Sequence, residues 1–189
     1  MGSEMCIRDR FNIHFSLLPA YKGMYTSAHP ILNNEKTTGC TFHLINDGID
    51  TGDILFQRSF NITQKDTCES LYDKYIHNGI RLIYEHITDL VDNNFTPLKQ
   101  PSEGSTYYSK SSINYKDLVL NTNVTAYQLG QQLKAFTFRS YQLPKINGEN
   151  IFGHKILKKQ SVKKPGLVVD QYHNKAVLST VDYNIEVYY

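Results

Sequence analysis

"FNIHFSLLPAYKG" spans residues 11–23, and it predicts a short strand that ends in polar side chains and continues as an apolar loop. Asn12 and His14 are two residues apart, so on an extended backbone their side chains point to the same side. Converging amide and imidazole N–H groups are what a developing oxyanion needs, as in acyl transfer. Considered singly, Asn12 is more typical of a turn and His14 of a hydrogen-bonded structural position.

A carboxylate in a second polar stretch, "DGIDTGD" (residues 47–53), is the natural partner for the imidazole. Asp50 is the best candidate because a nearby carboxylate stabilises an imidazolium and raises its pKa. Ordinary turn chemistry would also explain an Asp in this stretch. A metal site made by His14, His29, His43 and Asp50 is the weaker alternative, because no two of them have ligand-pair spacing. We therefore expect no metal.

The bulk composition is that of a globular chain with a buried core. Of its 189 residues, 40% are hydrophobic and 20% are charged, and no apolar run is long enough to cross a membrane. Three cysteines match neither a disulfide framework nor a zinc pattern, and no secretory leader is visible. These features predict a reducing, cytoplasmic location.

Hydrophobic periodicity divides the chain into a mixed first part and a strand-rich second part. Residues 40–45 and 54–60 read as strands, and helical spacing of apolar residues predicts one long amphipathic helix over 67–92. A second helix follows near 123–136, and Asn147-Gly148 predicts a hairpin turn among the last strands.

The same pattern predicts the domain boundaries. The opening "MGSEMCIRDR" (1–10) fits no element and reads as a non-native scar. We expect a partial catalytic domain over 11–95, a linker over 96–106 with two prolines, and a helix plus a small barrel-like sheet over 107–189. Because the chain starts in mid-strand, we also expect an N-terminal portion to be missing.

Two motifs together resemble the folate-dependent formyltransferases, the methionyl-tRNA formyltransferase-like family that also includes enzymes acting on nucleotide-linked amino sugars. The motifs are "NIHFSLLPAYKG" (12–23) and "TGCTFHLINDGIDTGDIL" (38–55). The resemblance extends over about 11–189. It implies an α/β fold: the C-terminal half of a Rossmann-like domain, followed by a small β-rich, OB-like domain.

The resemblance also implies roles for individual residues. Asn12, His14 and Asp50 match the family's catalytic set, in which Asn12 and protonated His14 would stabilise the oxyanion while Asp50 orients His14. The co-substrate would be 10-formyltetrahydrofolate. The implied folate contacts come from the apolar loop and the polar loop: Ser16, Leu17, Leu18, Pro19, Asn46, Asp47, Gly48 and Ile49.

Three functions stay open at this level. The first is formylation of the amine of a nucleotide-linked amino sugar, with Arg139 and nearby lysines holding phosphates. The second is formylation of methionyl-tRNA, and the third is a non-catalytic binding module of the same fold. Residues 105–189 carry a net charge of +6, which suits either phosphate-bearing acceptor. The chain has no Trp and lacks the Asn-Pro-Trp-Pro-Gly-like run of the tRNA enzymes, which favours the sugar; oligomeric state is not encoded visibly.

Overall fold

The computed structural model describes residues 10–139 and 142–189, which form two compact units. The first unit comprises 10–30, 35–64 and 70–112, and the second comprises 31–34, 65–69 and the described residues from 113 to 189. The predicted non-native scar falls, apart from Arg10, outside the described residues.

The first unit is built on a three-stranded sheet whose order is β1 (Phe11–His14), β3 (Thr37–Leu44) and β4 (Ile54–Asn61), and both neighbouring pairs are antiparallel. Its register sets Asn12 opposite His43 and His14 opposite Thr41, so the predicted catalytic strand end lies directly beside the second motif. The elements up to residue 112 are β1 (Phe11–His14), β2 (Lys22–Gly23), α1 (His29–Leu32), β3 (Thr37–Leu44), β4 (Ile54–Asn61), α2 (Cys68–Val91) and β5 (Tyr107–Tyr108).

Helix α2 confirms the predicted long amphipathic helix, with observed bounds Cys68–Val91. Its buried face includes Leu71, Tyr75 and Leu82, each at most 1% exposed. The Tyr75 hydroxyl lies 2.7 Å from Thr38 Oγ1, and the Cys40 thiol donates to the Tyr75 carbonyl at 3.4 Å. The helix therefore covers β3 through both packing and buried polar contacts.

The flanks of α2 differ. On the β4 side, the Arg58 guanidinium donates to Asn78 and to the Glu85 carboxylate. A second flank, adjacent to the packed face, carries a continuous apolar stripe of residues that are more than a third exposed: Ile76, Ile80, Ile83, Tyr84, Ile87 and Val91. In the described part of the chain, no helix is both long and apolar enough to span a bilayer.

The second unit packs helix α3 (Ala126–Ala135) on an antiparallel sheet of order β8-β11-β10-β9. Thr125 and Gln128 form a capping box that starts α3. The remaining strands are β6 (Lys145–Ile146), β7 (Glu149–Asn150), β8 (Gly153–Gln160), β9 (Val168–Tyr172), β10 (Lys175–Leu178) and β11 (Tyr183–Tyr188). Asn147 and Gly148 both have positive φ, 52° and 87°, so the predicted hairpin turn between β6 and β7 is confirmed.

The core of the second unit is apolar and joins α3 to the sheet. Its buried members are Ala126, Leu129, Leu133, Ile146, Ile151, Ala176, Leu178, Ile185 and Val187. The α/β class predicted from sequence is confirmed, whereas the OB-like assignment of this unit stays a prediction.

The segment predicted as a linker is tied closely to the first unit. Leu98 exchanges two backbone hydrogen bonds of 2.8 Å with Ile54, and the Thr106 carbonyl accepts from the Lys22 amide at 2.9 Å. Strand β5 then pairs in parallel with β2. Residues 96–108 thus form a strap along the first unit. The first unit itself ends at Ser112.

Candidate active site

Four polar side chains from three places in the first unit converge beyond the end of β1. Asn12 and His14 come from β1, His43 comes from β3, and Asp50 comes from the loop between β3 and β4. The Asp50 carboxylate is the centre of the group: Oδ2 lies 3.4 Å from His14 Nδ1, and Oδ1 lies 3.7 Å from His43 Nε2. Asn12 Nδ2 donates to Asp50 Oδ1 at 3.5 Å.

His43 fixes the orientation of the Asn12 amide. His43 Nδ1 lies 2.8 Å from the Leu44 carbonyl oxygen, which only accepts, so Nδ1 carries a proton. In the neutral ring Nε2 is then an acceptor, and it receives a hydrogen bond from Asn12 Nδ2 at 3.2 Å. The second N–H of Asn12 has only the long contact to Asp50, so it is weakly held and is the donor available to a substrate oxygen.

His14 is buried behind Asp50. Its Nε2 donates to the Tyr21 carbonyl at 2.8 Å, and its Nδ1 faces Asp50. Burial lowers the pKa of His14, and this effect outweighs the Tyr21 carbonyl and the Asp50 carboxylate, which raise it; His43 lowers it slightly further. This direction runs against the expectation that Asp50 keeps His14 charged, because desolvation of the imidazolium is the larger effect; the charge state of His14 during the reaction stays a prediction.

Asp50 is held in a conformation that few non-glycine residues adopt, with φ of +53°. The Gly23 amide donates to its Oδ2 at 2.9 Å. Burial tends to raise the pKa of Asp50, but the Gly23 amide and the neighbouring His43 and His14 side chains together lower it. Asp50 is therefore a carboxylate at neutral pH.

Two glycines make this geometry possible. Gly23 has a φ of +87°, and a Cβ there would lie 2.2 Å from the Tyr108 carbonyl oxygen. A Cβ at Gly52 would lie 1.6 Å from the Leu44 carbonyl oxygen. Both backbones approach their neighbours too closely for any side chain, which explains the glycines of the two motifs.

The apolar loop after β1 is tied down by β3 and β4. The Thr41 hydroxyl donates to the Ser16 carbonyl at 2.7 Å and accepts from the Leu18 amide at 3.1 Å. Gln57 Nε2 donates to the Leu18 carbonyl and to Thr41. Ser16 and Leu18 are themselves buried, whereas Leu17 and Pro19 keep part of their surface exposed.

A cavity of about 220 Å³ opens beside the cluster, and a cavity of this kind is the usual place for a small-molecule site. It is lined by Asn12, His43, Ile45, Asn46, Gly48, Ile49 and Asp50. Most of the predicted site residues of the second motif are therefore brought to one cavity with Asn12. The lining does not include His14, Asp47 or the apolar-loop residues Ser16, Leu17, Leu18 and Pro19, whose folate contacts stay a prediction.

The chemistry of this arrangement is that of an amide donor beside a paired base. The contact between His14 Nδ1 and Asp50 Oδ2 is attractive only when a proton lies between them, because otherwise two lone pairs face each other. The contact between a neutral His14 and an ionised Asp50 therefore becomes attractive once a proton lies between them. The pair is suited to accept a proton released at the cavity wall, while Asn12 donates to an oxygen there.

Sequence reasoning missed three contributors to the cluster. The sequence indicates His43 only as a metal ligand, whereas its place opposite Asn12 in the antiparallel register brings it into the cluster. The Tyr21 carbonyl and Gln100, which donates to the carbonyls of Asp50 and Gly52, act through long-range contacts. No local pattern indicates such contacts.

The weaker metal hypothesis is not supported by the contacts of His29. Its ring stacks on Tyr108 with a centroid separation of 3.7 Å, and its Nε2 lies 3.0 Å from Ser112 Oγ. Over 10–139 and 142–189, no group of three or more His, Cys, Asp or Glu residues is arranged to hold a metal ion.

The chain is similar in sequence and in fold to known formyltransferases. A family described as "Formyl transferase" matches residues 5–87. The N-formyltransferase of Helicobacter canadensis, solved with folinic acid and dTDP-3-aminofucose, has 35% identity and a TM-score of 0.83 over 94% of this chain and 65% of its own. WlaRD, a sugar 3N-formyl transferase solved with dTDP and 5-N-formyl-THF, has 36% identity and the same TM-score over 94% of this chain and 64% of its own.

Curated relatives include the methionyl-tRNA formyltransferase of Acetivibrio thermocellus, which is 32% identical over 92% of this chain and 59% of its own length. The chain spans about half the length of the curated relatives that match most of it. The resemblance stated from the two motifs is confirmed by these likenesses. Residues 5–87 carry the match to the formyl transferase family, and the two solved relatives extend the likeness over 94% of the chain.

Proposed function

We propose that this chain forms the catalytic part of an enzyme that transfers a formyl group from 10-formyltetrahydrofolate to a primary amine. The observation that carries the proposal is the joint placement of the Asn12 amide and the Asp50 carboxylate on one cavity, with His14 behind the carboxylate. Ile45 and Ile49, both exposed and on the cavity wall, offer an apolar surface to a flat pterin ring.

The first chemical step is attack of the amine nitrogen on the formyl carbon. A C–N bond forms and the carbonyl electron pair moves onto oxygen. The weakly held N–H of Asn12 turns to this oxyanion, a contribution of about 3–4 kcal/mol for a well-placed donor. His14 was expected to be the second donor, but its Nε2–H is used by the Tyr21 carbonyl and its ring is buried.

The second step moves one proton. The attacking nitrogen loses its proton to Asp50, and the proton is shared with His14 Nδ1 across their contact. The bond between the formyl carbon and N10 of the folate then breaks, and the same proton ends on N10. The Asp50–His14 pair is unchanged after the cycle, and such acid–base assistance contributes about 10²–10⁴-fold in rate.

A nucleotide-linked amino sugar is the acceptor that we favour. Two solved relatives at 35% and 36% identity are sugar N-formyltransferases. The second unit also has a cavity of about 330 Å³ whose lining includes Lys116, Lys145 and Tyr115 and contains no acidic residue. Such a cavity suits a phosphate group attached to a planar base.

Methionyl-tRNA is the second candidate acceptor, because the curated relatives include methionyl-tRNA formyltransferases and the second half of the chain is basic. The discriminating experiment incubates the protein and 10-formyltetrahydrofolate with a dTDP-linked amino sugar or with methionyl-tRNA, and measures the formylated product by mass spectrometry. We expect product with the sugar. Product with tRNA alone, from a reaction that weakens steeply as salt is raised, would reverse the order.

A further inference from the structure

We propose that Gln100 is a positioning residue whose side-chain amide holds the Asp50–Gly52 turn so that the Asp50 carboxylate faces His14 and the Gly23 amide. This inference rests on the proposed function only in taking Asp50 as the base of the reaction. Gln100 belongs to the strap, residues 96–108, of which the sequence pattern predicts 96–106 to be a linker.

The contacts of Gln100 are specific for an amide nitrogen. Its Nε2 donates to the Asp50 carbonyl at 2.9 Å and to the Gly52 carbonyl at 2.7 Å. Both hydrogens of the NH₂ group are thereby used, one on each side of Thr51. Carbonyl oxygens only accept, so neither a carboxylate nor an apolar side chain can replace this group.

The amide has one allowed orientation. Among the described residues, Gln100 Oε1 is a buried side-chain oxygen with no hydrogen-bond partner. Turning the amide over would place this oxygen against two carbonyls and would bury two unpaired N–H groups instead. Burying two unpaired donors costs more than burying one unpaired oxygen, so the observed orientation is strongly preferred.

The backbone on either side of Gln100 is also held in place. Leu98, two residues earlier, is paired in both directions with Ile54 at the start of β4. Pro101 follows directly, and a residue before proline is restricted to extended backbone. Gln100 therefore presents its side chain to the turn from a backbone that is itself fixed.

The turn needs this support because of where it places Asp50. The φ of +53° is uncommon for a residue with a side chain, and the carboxylate depends on it for the 2.9 Å bond from Gly23 and the 3.4 Å contact with His14. Rotation of the Asp50 or Gly52 peptide would move the carboxylate away from both partners. Gln100 holds the carbonyls of both residues and so opposes that rotation.

The test uses the whole chain and NMR, so it does not depend on turnover. The variant Gln100→Glu keeps the shape of the side chain but replaces the nitrogen by an oxygen that only accepts. We expect the Gly23 amide to exchange with solvent about tenfold faster, as befits loss of a hydrogen bond. We expect His14 to titrate at lower pH, because Asp50, which faces it together with His43, no longer raises its pKa.

Gln171→Glu on β9 is the matched control, because it makes the same charge change at an exposed position in the second unit. It should leave Gly23 exchange and His14 titration unchanged. If Gln100→Glu does not give a folded spectrum, Gln100→Leu, which removes the donors without adding charge, carries the same expectations. The proposal would be overturned by folded Gln100 variants in which the Gly23 amide exchanges within twofold of the parent rate and His14 titrates at the same pH as in the parent protein.

A formyl-transfer assay separates this inference from the proposed function. If the parent protein transfers formyl groups, Gln100→Glu should lower kcat at least tenfold and leave the KM for the folate unchanged. If the parent protein transfers none while the NMR changes appear as expected, the positioning role stands and the proposed function fails. An unchanged kcat in a variant whose NMR signals are also unchanged rejects the positioning role alone.

Discussion

At the scale of single residues, the cluster shows how burial and partners divide the roles of similar groups. Asp50 stays ionised because hydrogen bonds and imidazoles outweigh its burial, whereas His14 is kept neutral because burial outweighs the carboxylate. That Asn12 and His14 lie side by side, with Asp50 as their partner, could be predicted from the strand spacing, the polar turn and the resemblance, while their catalytic roles stay a prediction. His43 and Gln100 could not, because cross-strand register and a contact across 50 residues bring them in.

A pH dependence of stability follows from His29. Burial lowers its pKa from 6.5 to about 4, so between these values the unfolded chain takes up a proton that the folded chain does not. The stabilising contribution is therefore complete above pH 6.5 and is lost as the pH falls toward 4. Allowing for partial screening by solvent, we expect about 2 kcal/mol.

Urea unfolding of the parent protein and of His29→Gln at pH 7 and pH 4.5 measures this contribution. The variant should lose less stability on acidification, because the glutamine amide does not titrate. Carboxylates that also respond to acid are common to both proteins and cancel in the comparison. Equal losses in the two proteins would show that His29 does not take part.

At the scale of elements, helix α2 was the clearest prediction and matches its observed bounds within one residue at each end. Its apolar periodicity is strong enough to be read without tertiary information. Residues 96–106 of the strap are predicted to be a linker because two prolines and polar side chains show no hydrophobic periodicity. In the structure, backbone hydrogen bonds to Ile54 and Lys22 hold the strap on the first unit. Backbone pairing of an irregular segment leaves no mark in composition.

The packed face and the apolar stripe of α2 should respond differently when a side chain is truncated to alanine. Leu82 is 1% exposed on the packed face, and Leu82→Ala should lower the free energy of unfolding by about 2–5 kcal/mol through cavity formation. Ile80 is 48% exposed in the apolar stripe, and Ile80→Ala should change it by about 0.5 kcal/mol or less. Denaturant titration of both variants compares them directly. A loss at Ile80 as large as that at Leu82 would mean that the stripe is covered in solution.

At the scale of the whole molecule, the two units divide the proposed labour between chemistry and acceptor binding. The first unit holds the proposed reacting groups, and the second holds the cavity lined by Lys116 and Lys145. A two-part organisation with a linker over 96–106 could be proposed from the change of periodicity near residue 100, and those bounds stay a prediction. The cavity could not, because its lysines, Lys116 and Lys145, are separated in sequence by α3 and belong to no motif.

The lysine-lined cavity predicts a defect in binding rather than in chemistry. Lys116→Gln combined with Lys145→Gln should raise the KM for a nucleotide-linked amino sugar about tenfold and leave kcat nearly unchanged, because the phosphate does not react. Lys158→Gln combined with Lys159→Gln, at exposed positions on β8, is the matched control for net charge. A fall in kcat without a change in KM, or equal effects of both pairs, would contradict this assignment.

The most direct test of the central claim is a single-turnover measurement of formyl transfer from 10-formyltetrahydrofolate to an amino-sugar nucleotide by the parent protein and by Asp50→Asn. The substitution keeps the size of the side chain but removes the carboxylate that accepts the proton. The account predicts a rate at least 100-fold lower in the variant, with folate affinity within about threefold of the parent protein. A variant that transfers the formyl group at nearly the parent rate would contradict the role of the Asp50–His14 pair.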